Sequence, residues 1–390
     1  MLDVVVTGAG PAGARSAALC ARAGLRTLLV ERDPLPRDKC CAGGLLERAA
    51  SLLDDPLPET VIEREISTVS VVHTSFREEF SLPKRAAVTV RRSAFDAYLV
   101  DRAVKAGAEL WTPSRISKLR EDAESVELTI DGRMVSTKAL IIAEGATSRT
   151  ASSLFGLYPG SDQGIGISMT CQLERDPGGH MEFHFLDTPL ARFPFTFKFP
   201  LNGWMFATRG GANIGVVGKD LSAVIYRRGM EHMRKVVEER YGATSEAHVS
   251  AHPIPMRMRN PLHTRRCLLV GDAAGLTSPM SGEGMTNALK SASLASSAVE
   301  GMVSGTSTLK RYQRDVQAEI LPILRASRFI SPAAQWLIGV VDTPTLVKKM
   351  HGDPELVSTS LRISRGEEGW ESLLRLVARR FPYLFFSSLT

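Results

Sequence analysis

The sequence lacks the features typical of secreted, membrane-spanning and repeat proteins. Its 390 residues contain no apolar run of the roughly 20 residues that a bilayer-crossing helix needs. The five cysteines are an odd and scattered set, so they do not indicate a disulfide framework. The chain starts directly with a predicted strand, which leaves no room for a signal peptide. We therefore expect a globular cytoplasmic protein, since a hydrophobic content of 44% can form a large core.

The chain also lacks a strong charge of one sign. Lys and Arg number 48 and Asp and Glu 42, which gives a formal net charge of +6. Such an excess can indicate a nucleic acid or an anionic membrane, but no nucleic-acid motif accompanies it and we expect no nucleic-acid partner. The segment from Trp370 to Phe386 mixes apolar residues with arginines. It fits either a helix that covers the core or an amphipathic helix in peripheral contact with a membrane. The sequence predicts no oligomeric state.

A glycine motif follows the first predicted strand, Leu2–Thr7. The motif reads Gly8-Ala9-Gly10-Pro11-Ala12-Gly13. Its first glycine permits a tight turn, its second lets a diphosphate approach the backbone, and its third lets helix and strand pack closely. The diphosphate then lies at the positive start of the helix predicted over Ala12–Ala23. A second strand, Arg26–Val30, ends at Glu31 and Arg32, where an acid suits a ribose hydroxyl. The motif predicts a dinucleotide site but does not separate NAD from FAD.

A second motif lies far downstream and distinguishes the two cofactors. It runs Gly271-Asp272-Ala273-Ala274-Gly275 and continues with Pro279, Gly282, Gly284 and Met285. Asp272 follows the predicted strand Arg266–Val270, where its carboxylate can accept a hydrogen bond from a ribityl hydroxyl. Pro279 would shape the loop beside the flavin ring. Backbone N–H groups at the start of a helix predicted over Met285–Gly301 would face the flavin pyrimidine edge, where negative charge builds up on reduction. Together the two motifs predict one FAD site.

With these motifs the sequence resembles a known group of flavoproteins. It is similar to the para-hydroxybenzoate hydroxylase type and, within that group, most similar to the geranylgeranyl reductase family, with Met285 in place of that family's isoleucine. The resemblance covers most of the chain and matches its C-terminal part only loosely. It includes the segment Lys39-Cys40-Cys41-Ala42-Gly43-Gly44. There Cys41 matches the family cysteine and Cys40 replaces a proline.

The resemblance implies further site residues. Those it adds to the cofactor site are Cys41, Ala42, Gly43, Arg92, Glu144 and Gly145. Arg92 would lie near the ribose or diphosphate, and Glu144 replaces the aspartate of a segment linked to NADPH use. Cys41 is the catalytic candidate, because its thiol could donate a proton, hydrogen-bond an intermediate or pack against the ring. Adjacent cysteines suit zinc poorly, and no His/Cys set in the sequence supports a metal site.

The substrate region departs from the family. Its Tyr-x-Trp-x-Phe-Pro pattern becomes Phe195-Thr196-Phe197-Lys198-Phe199-Pro200 here. Alternation places Phe193 and these phenylalanines on one face of a strand. The predicted substrate-pocket residues are Phe183, Phe195, Phe197, Phe199 and Trp204. The pattern fits an apolar wall for a prenyl, terpenoid or aromatic substrate, and equally the packing of a sheet core.

The order of elements predicts a two-domain α/β protein. It would combine a Rossmann-like FAD-binding domain, a β-sheet substrate domain and a helical C-terminal region. We expect the FAD-binding domain in residues 1–65, 83–157 and 265–305, the substrate-binding domain in 66–82 and 158–264, and the helical region in 306–390.

The predicted activity is FAD-dependent reduction of carbon–carbon double bonds in a geranylgeranyl-type prenyl or similar apolar substrate, by hydride transfer from flavin N5. NADPH or another reductant would supply the electrons. The alternative is an FAD-dependent monooxygenase, a hydroxylase or epoxidase of an aromatic or terpenoid substrate, because one fold serves both reactions. A third hypothesis is a flavin- or prenyl-binding module without turnover.

Overall fold

The computed structural model describes residues 1–73, 76–156, 158, 162–186, 201–242, 249–279, 281–328, 349, 352–365, 368, 372–373, 375–377 and 379–380. The chain forms two compact units. The first contains Met1–Lys39, Arg92–Gln163 and Pro253–Leu324, and the second contains Cys40–Arg91, Gly164–His252 and Arg325–Thr390. The predicted mixed α/β class is confirmed. The predicted boundaries, which give residues 40–65 and 83–91 to the cofactor domain, stay a prediction.

The described elements are numbered in chain order. The strands are β1 (Leu2–Thr7), β2 (Thr27–Val30), β3 (Gly44–Leu46), β4 (Ile62–Glu65), β5 (Thr68–His73), β6 (Phe76–Ser81), β7 (Ala87–Val90), β8 (Glu109–Trp111), β9 (Ile116–Glu121), β10 (Val126–Ile130), β11 (Arg133–Ile142), β12 (Gln163–Gln172), β13 (His180–Phe185), β14 (Asn202–Thr208), β15 (Gly211–Gly218), β16 (Ser250–Pro255) and β17 (Cys267–Leu269). The helices are α1 (Pro11–Arg22), α2 (Glu47–Ala50), α3 (Arg92–Lys105), α4 (Arg149–Phe155), α5 (Ala223–Tyr241), α6 (Met285–Val303), α7 (Lys310–Glu319) and α8 (Pro354–Arg365).

The first unit is built on a sheet whose centre is parallel. Strands β8, β2, β1, β11 and β17 are parallel neighbours in that order, and β10 and β9 extend the sheet antiparallel from the first half of β11. Val4, Val5 and Val6 of β1 are wholly buried, as expected of a parallel strand covered on both faces. The carboxyl ends of the five parallel strands therefore share one edge of the sheet.

Two helices that start at this edge pack side by side. The Ser296 hydroxyl of α6 donates to the Ser16 carbonyl of α1 at 3.3 Å, and Arg15 Nε donates to Ser293 Oγ at 3.2 Å. Small side chains line this contact, so the two helices lie close together. Their N-termini thus point to the same region, at the carboxyl edge of the sheet.

The second unit is built on a different, mainly antiparallel sheet. Its strand order is β16-β12-β15-β14-β13-β5-β6, with β13 and β5 parallel. Helix α5 covers one face through a core that includes Met205, Ile214, Tyr226 and Met233. A small sheet of β3, β7 and β4 belongs to the same unit. Within the described ranges of the whole chain, every helix is too short or too polar to cross a membrane.

Candidate functional site

The glycine turn after β1 requires glycine at two of its positions. Gly8 has a φ of +90°, and a Cβ there would lie 2.5 Å from the Ala143 carbonyl oxygen. A Cβ on Gly13 would lie 1.8 Å from the Gly8 carbonyl oxygen. Pro11 begins α1, where its missing N–H has no intrahelical partner to lose. The tight turn and the close helix–strand approach expected of this motif are therefore present.

Gly10 differs from its neighbours because there is room in front of it. Among the described atoms, those nearest to a Cβ on Gly10 would be Nη2 of Arg37 and Nη2 of Arg92, both at 3.8 Å. Gly10 is also the N-cap of α1, and no described side chain caps the helix there. The positive helix start and two guanidinium groups thus border one small space. Their charges and donors fit a diphosphate.

A buried carboxylate holds both guanidinium groups in place. Asp96 of α3 is fully buried and accepts hydrogen bonds from Arg92 Nε and Nη2, each at 2.8 Å, and from Arg37 Nη1 at 3.0 Å. Charge-assisted, bidentate bonds of this kind fix a planar guanidinium. Sequence reasoning names Arg92 but misses Arg37 and Asp96. The four-residue spacing of Arg92 and Asp96 on a helix is the signal that could have found their pair.

Glu31 ties the glycine turn to the end of β2. Its Oε2 accepts the Ala9 N–H at 2.8 Å and lies 3.3 Å from Arg37 Nη2, and its Oε1 accepts the Asp33 N–H at 3.1 Å. The predicted ribose contact of Glu31 stays a prediction, as does that of Arg32. The Arg32 side chain is largely exposed and pairs with Asp33.

The second motif adjoins the first where β17 ends. Gly271, with a φ of +56°, opens a short 3-10 helix, and its N–H donates to Ser291 Oγ at 3.1 Å. A Cβ on Gly271 would lie 3.1 Å from the Ala12 Cβ. The first residue of the second motif is thus packed against the first turn of α1. The structure brings the two motifs together at one sheet edge.

Asp272 lies at the start of α6. Its Oδ1 accepts the Thr277 hydroxyl at 3.1 Å, and its Oδ2 lies 3.3 Å from Lys39 Nζ. Gly284 is the N-cap of α6, and a Cβ there would lie 3.2 Å from Asp272 Oδ1. The carboxylate therefore lies directly against the start of α6, where a side chain at position 284 would crowd it. Sequence reasoning names Asp272 and Gly284 but gives Lys39 no role.

The loop before α6 carries the remaining residues of the second motif. Pro279 is buried, Gly282 has a φ of +68°, and Met285 is half-buried. Glu283 Oε1 accepts the Thr286 N–H at 2.7 Å. This bond satisfies one donor of the first turn of α6. The cofactor contacts predicted for these residues stay a prediction.

Glu144 organises the turn between β11 and α4. Its Oε2 accepts the Ser148 hydroxyl at 2.7 Å, and its Oε1 accepts the Thr150 hydroxyl at 2.6 Å. Gly145 has a φ of +76°, and the Glu144 Cα would lie 3.0 Å from a Cβ on Gly8. The Glu144 segment thus lies against the glycine turn, while its carboxylate is bonded within its own turn.

The cysteine loop belongs to the second unit. Cys40 Sγ lies 3.2 Å from Ser168 Oγ and 3.4 Å from the Ser250 carbonyl oxygen, to which its thiol donates. The Gly43 N–H donates to Cys41 Sγ at 3.4 Å. These bonds hold the loop through Cys40, whereas the Cys41 sulfur serves as an acceptor for the Gly43 N–H. In the part of the chain that the structure describes, no group of acidic, His and Cys side chains could hold a metal ion.

Aromatic residues occupy one face of the large sheet in the same unit. The indole N–H of Trp204 donates to Asn213 Oδ1 at 2.8 Å, and a Cβ on Gly215 would lie 2.2 Å from the indole ring. The Trp204 ring therefore packs directly against Gly215, where any larger side chain would collide with it. Phe183 contacts Phe206 edge to face, with ring centroids 5.4 Å apart, and is 39% exposed. Of the predicted substrate-pocket residues, Phe195, Phe197 and Phe199 lie outside the described residues, as does Phe193.

The cysteine loop and these aromatic residues share that face. A row of register partners crosses β12, β15, β14 and β13, and it consists of Ser168, Gly215, Trp204 and Phe183. Partners directly opposite in antiparallel strands point to the same face. Cys40 contacts Ser168 at one end of this row, and Ala42 packs against the cluster that contains Trp204. The structure thus places the predicted thiol loop on the same sheet face as the predicted pocket residues Trp204 and Phe183, next to the cluster that contains Trp204.

The parallel sheet, the glycine turn and the cationic helix start are typical of a Rossmann-type dinucleotide-binding protein. Residues 1–320 match a family model described as an FAD binding domain. Because this match covers well over half of the chain, the chain belongs to the FAD binding domain family. It is accordingly an FAD-dependent oxidoreductase, as predicted.

Relatives and solved structures agree with this family. A digeranylgeranylglycerophospholipid reductase of Methanocaldococcus jannaschii is 27% identical over 334 residues, 80% of this chain and 81% of the relative. A menaquinone reductase of Mycolicibacterium smegmatis is 27% identical over 325 residues, 78% of this chain and 76% of the relative. The predicted resemblance to the geranylgeranyl reductase family is confirmed.

Two solved structures show the same fold. A geranylgeranyl bacteriochlorophyll reductase-like protein from Thermoplasma acidophilum has a TM-score of 0.76 and 20% identity, covering 98% of this chain and 97% of that one. A flavin-dependent brominase has a TM-score of 0.74 and 21% identity, covering 98% of both chains. At such identities these structures support the fold and leave the reaction open.

Proposed function

We propose that this protein reduces carbon–carbon double bonds of a prenyl-type or similarly apolar substrate. The observation that carries the proposal is the position of the Cys40–Cys41 loop on the Trp204 face of the second unit's sheet. A thiol beside an apolar, aromatic surface suits reduction of an isolated alkene, which needs tight positioning and a nearby acid. The reductases among the relatives support the same choice.

The first unit would hold the cofactor at the carboxyl edge of its sheet. Arg37, Arg92 and the start of α1 would bind the diphosphate of FAD, and Asp272 would accept a hydrogen bond from the ribityl chain. The N–H groups at the start of α6 would face the pyrimidine edge of the flavin. When bound, FAD supplies the hydride from its N5 atom. We propose NADPH as the reductant, with the Glu144–Gly145 segment taking part in its use.

The second unit would bind and orient the substrate. The Trp204 ring is held over Gly215 and by Asn213, and it is largely buried, so it would form the fixed apolar base of the substrate site. The exposed ring of Phe183 extends that surface. Cys41 would deliver its thiol proton to the alkene carbon that does not receive the hydride, with its sulfur held by the Gly43 N–H.

A second candidate is a monooxygenase that acts on an aromatic or terpenoid substrate. The observation that favours it is the replacement of the family tyrosine and tryptophan by Phe195 and Phe197. This change removes a phenol and an indole donor from the substrate region. A substrate without a polar headgroup would then fit at least as well as the family's substrate.

One experiment separates the two candidates. The protein is reduced under strict anaerobiosis and mixed with a geranylgeranyl substrate, and reoxidation and product mass are recorded. We expect rapid reoxidation and a product richer by two hydrogens. If reoxidation occurs only after oxygen is admitted and the product carries one extra oxygen atom, the protein is instead a monooxygenase.

A cysteine variant tests the proposed acid. Cys41→Ala should slow substrate-driven reoxidation by about a hundredfold and leave reduction of the cofactor unchanged. Cys171→Ala is the matched control, because Cys171 is buried in the same sheet and burial raises the pKa of its thiol. Equal reoxidation rates in both variants would make Cys41 a packing residue.

A further inference from the structure

An ion pair in the first unit joins Lys39 to the second motif. Lys39 Nζ lies 3.3 Å from Asp272 Oδ2, and about a quarter of each side chain is exposed, 23% and 24%. Lys39 immediately precedes Cys40 in the chain. The pair is therefore partly shielded from water, where a charge acts more strongly than on an open surface.

The surroundings of this pair make its charge important. Asp272 Oδ1 accepts a hydrogen bond from the Thr277 hydroxyl, and Gly284 at the start of α6 lies against both groups. The edge also receives the start of α1, since Gly271 packs against Ala12. Asp272 would place a full negative charge beside the positive start of α6. Lys39 cancels that charge.

We infer that Lys39 sets the reduction potential of the bound FAD by neutralising Asp272. Reduction adds negative charge to the cofactor, so a fixed cation nearby stabilises the reduced form more than the oxidised form. An uncompensated carboxylate has the opposite effect. This inference rests on FAD binding at this edge, and it is independent of the substrate and of the Cys41 proton.

Four variants test the sign of the effect. Lys39→Met removes the positive charge and keeps the side-chain stem, Lys39→Arg keeps the charge, Asp272→Asn removes the negative charge, and the double variant Lys39→Met with Asp272→Asn removes both. The potential of bound FAD is measured by anaerobic equilibration with a reference dye. Protein and FAD are kept well above the dissociation constant of each variant, so the readout needs no turnover.

The expected results form a pattern that charge alone produces. Lys39→Met should lower the ratio of reduced to oxidised cofactor at a fixed potential by about tenfold, which is about 30 mV for two electrons. Asp272→Asn should raise the ratio, and the double variant should return close to the wild-type value. Lys39→Arg should behave like the wild type.

A matched pair at the other end of the same sheet serves as the control. Lys138 Nζ lies 2.9 Å from Asp3 Oδ1, where the parallel strands begin. Lys138→Met should leave the potential unchanged.

Three outcomes would overturn the inference. One is an unchanged potential in Lys39→Met, and another is an equal shift in Lys39→Arg and Lys39→Met. The third is a double variant shifted further than either single variant. Each would show that Lys39 tethers its loop without setting the charge at the cofactor edge.

Discussion

Each unit buries a carboxylate among arginines, and the two clusters differ in what their cations face. In the first unit, Asp96 holds Arg92 and Arg37, whose Nη2 atoms border the room in front of Gly10. In the second unit, Glu182 is buried on the α5 side of the large sheet, where the side chains that donate hydrogen bonds to it surround its carboxylate. A buried ionic cluster serves as a binding site where its cations reach room that a ligand can fill. Where they do not, it holds elements together.

The Glu182 cluster shows the enclosed case in detail. Its Oε1 accepts Arg77 Nη2 and Arg240 Nη1, each at 3.0 Å, and the Tyr241 hydroxyl at 3.2 Å. Its Oε2 faces His184 Nε2 at 3.0 Å. These donors come from β6, α5 and β13, so the carboxylate joins three elements. We therefore assign this cluster to stability.

The largest effect that separates the two clusters is on unfolding. Glu182→Gln should lower the free energy of unfolding by about 1.5–3 kcal/mol, because it removes the buried carboxylate that accepts charge-assisted hydrogen bonds from the partly exposed Arg77 and Arg240. Glu79→Gln is the control, since the Glu79 carboxylate bonds the same Arg77 but is half exposed, and its cost should stay below about 1 kcal/mol. Both are measured by urea unfolding at neutral pH. FAD affinity should be unchanged in both, and a weaker affinity in Glu182→Gln would erase the distinction between the clusters.

The same cluster predicts a dependence of stability on acid. Burial by itself would raise the pKa of the Glu182 carboxyl, but hydrogen bonds from His184 and Arg77, with the charges of Arg77 and Arg240, lower it from 4.5 to about 2. Because the folded pKa is depressed, the stabilisation is complete above about pH 4.5 and is lost as the pH falls towards 2. Glu182→Gln lacks this titration, so its stability should decline less over that range. Parallel decline in both proteins would contradict the assigned pKa.

The next effect concerns the Asp96 cluster, whose arginines border the space in front of Gly10. Arg37→Leu should weaken FAD binding by about tenfold to a hundredfold, since a hydrogen bond to a charged group contributes about 1.5–3 kcal/mol. Arg26→Leu is the control, because Arg26 pairs with Asp3 at the opposite end of the sheet, and its affinity should match the wild type. Calorimetric titration of the apoprotein with FAD measures both. Equal affinities would place Arg37 with Arg77, as a residue that only stabilises the fold.

The sequence predicts local elements well where a strong apolar run or a glycine motif marks them. The first strand is predicted and observed as Leu2–Thr7, and α1 is observed as Pro11–Arg22, against a prediction of Ala12–Ala23. The apolar run Ala139–Ala143 predicts a strand before Glu144, but β11 begins earlier, at Arg133. Its first half pairs with β10, and the residues from Arg133 to Ser136 are exposed or half-buried, so they carry little apolar signal. A stretch of this kind becomes a strand because its neighbour β10, with its alternating buried apolar residues, pairs with it.

The sequence predicts the site only in part, because it gives the motifs without their partners. The glycines and Asp272 follow from motif spacing, and the structure shows the turn, the close packing and the helix starts around them. Arg37, Asp96 and Lys39 come from loops and a helix whose meeting depends on the tertiary fold. A lone arginine or lysine in a loop has no periodicity or spacing that marks it. Arg37, Asp96 and Lys39 can therefore be assigned to the site only from the folded structure, in which the strand ends meet at one edge.

The smallest of these changes tests whether the space in front of Gly10 is needed for FAD binding. Gly10 has a φ of −76°, which alanine also adopts, and a Cβ there would have its nearest described neighbours at 3.8 Å. Gly10→Ala should therefore fold like the wild type, with an unfolding free energy within about 1 kcal/mol. It should nevertheless bind FAD about tenfold more weakly, because the methyl group occupies the space where the diphosphate approaches the backbone.

Gly13→Ala gives the contrast, since its Cβ would lie 1.8 Å from the Gly8 carbonyl oxygen and should prevent stable folding. Thermal unfolding and FAD titration of the two variants together distinguish a glycine that the ligand needs from one that the fold needs. Wild-type FAD affinity in Gly10→Ala would mean that the diphosphate does not approach α1 at this residue. The two guanidinium groups beside it would then stabilise the turn in the same way that Arg77 and Arg240 stabilise the second unit.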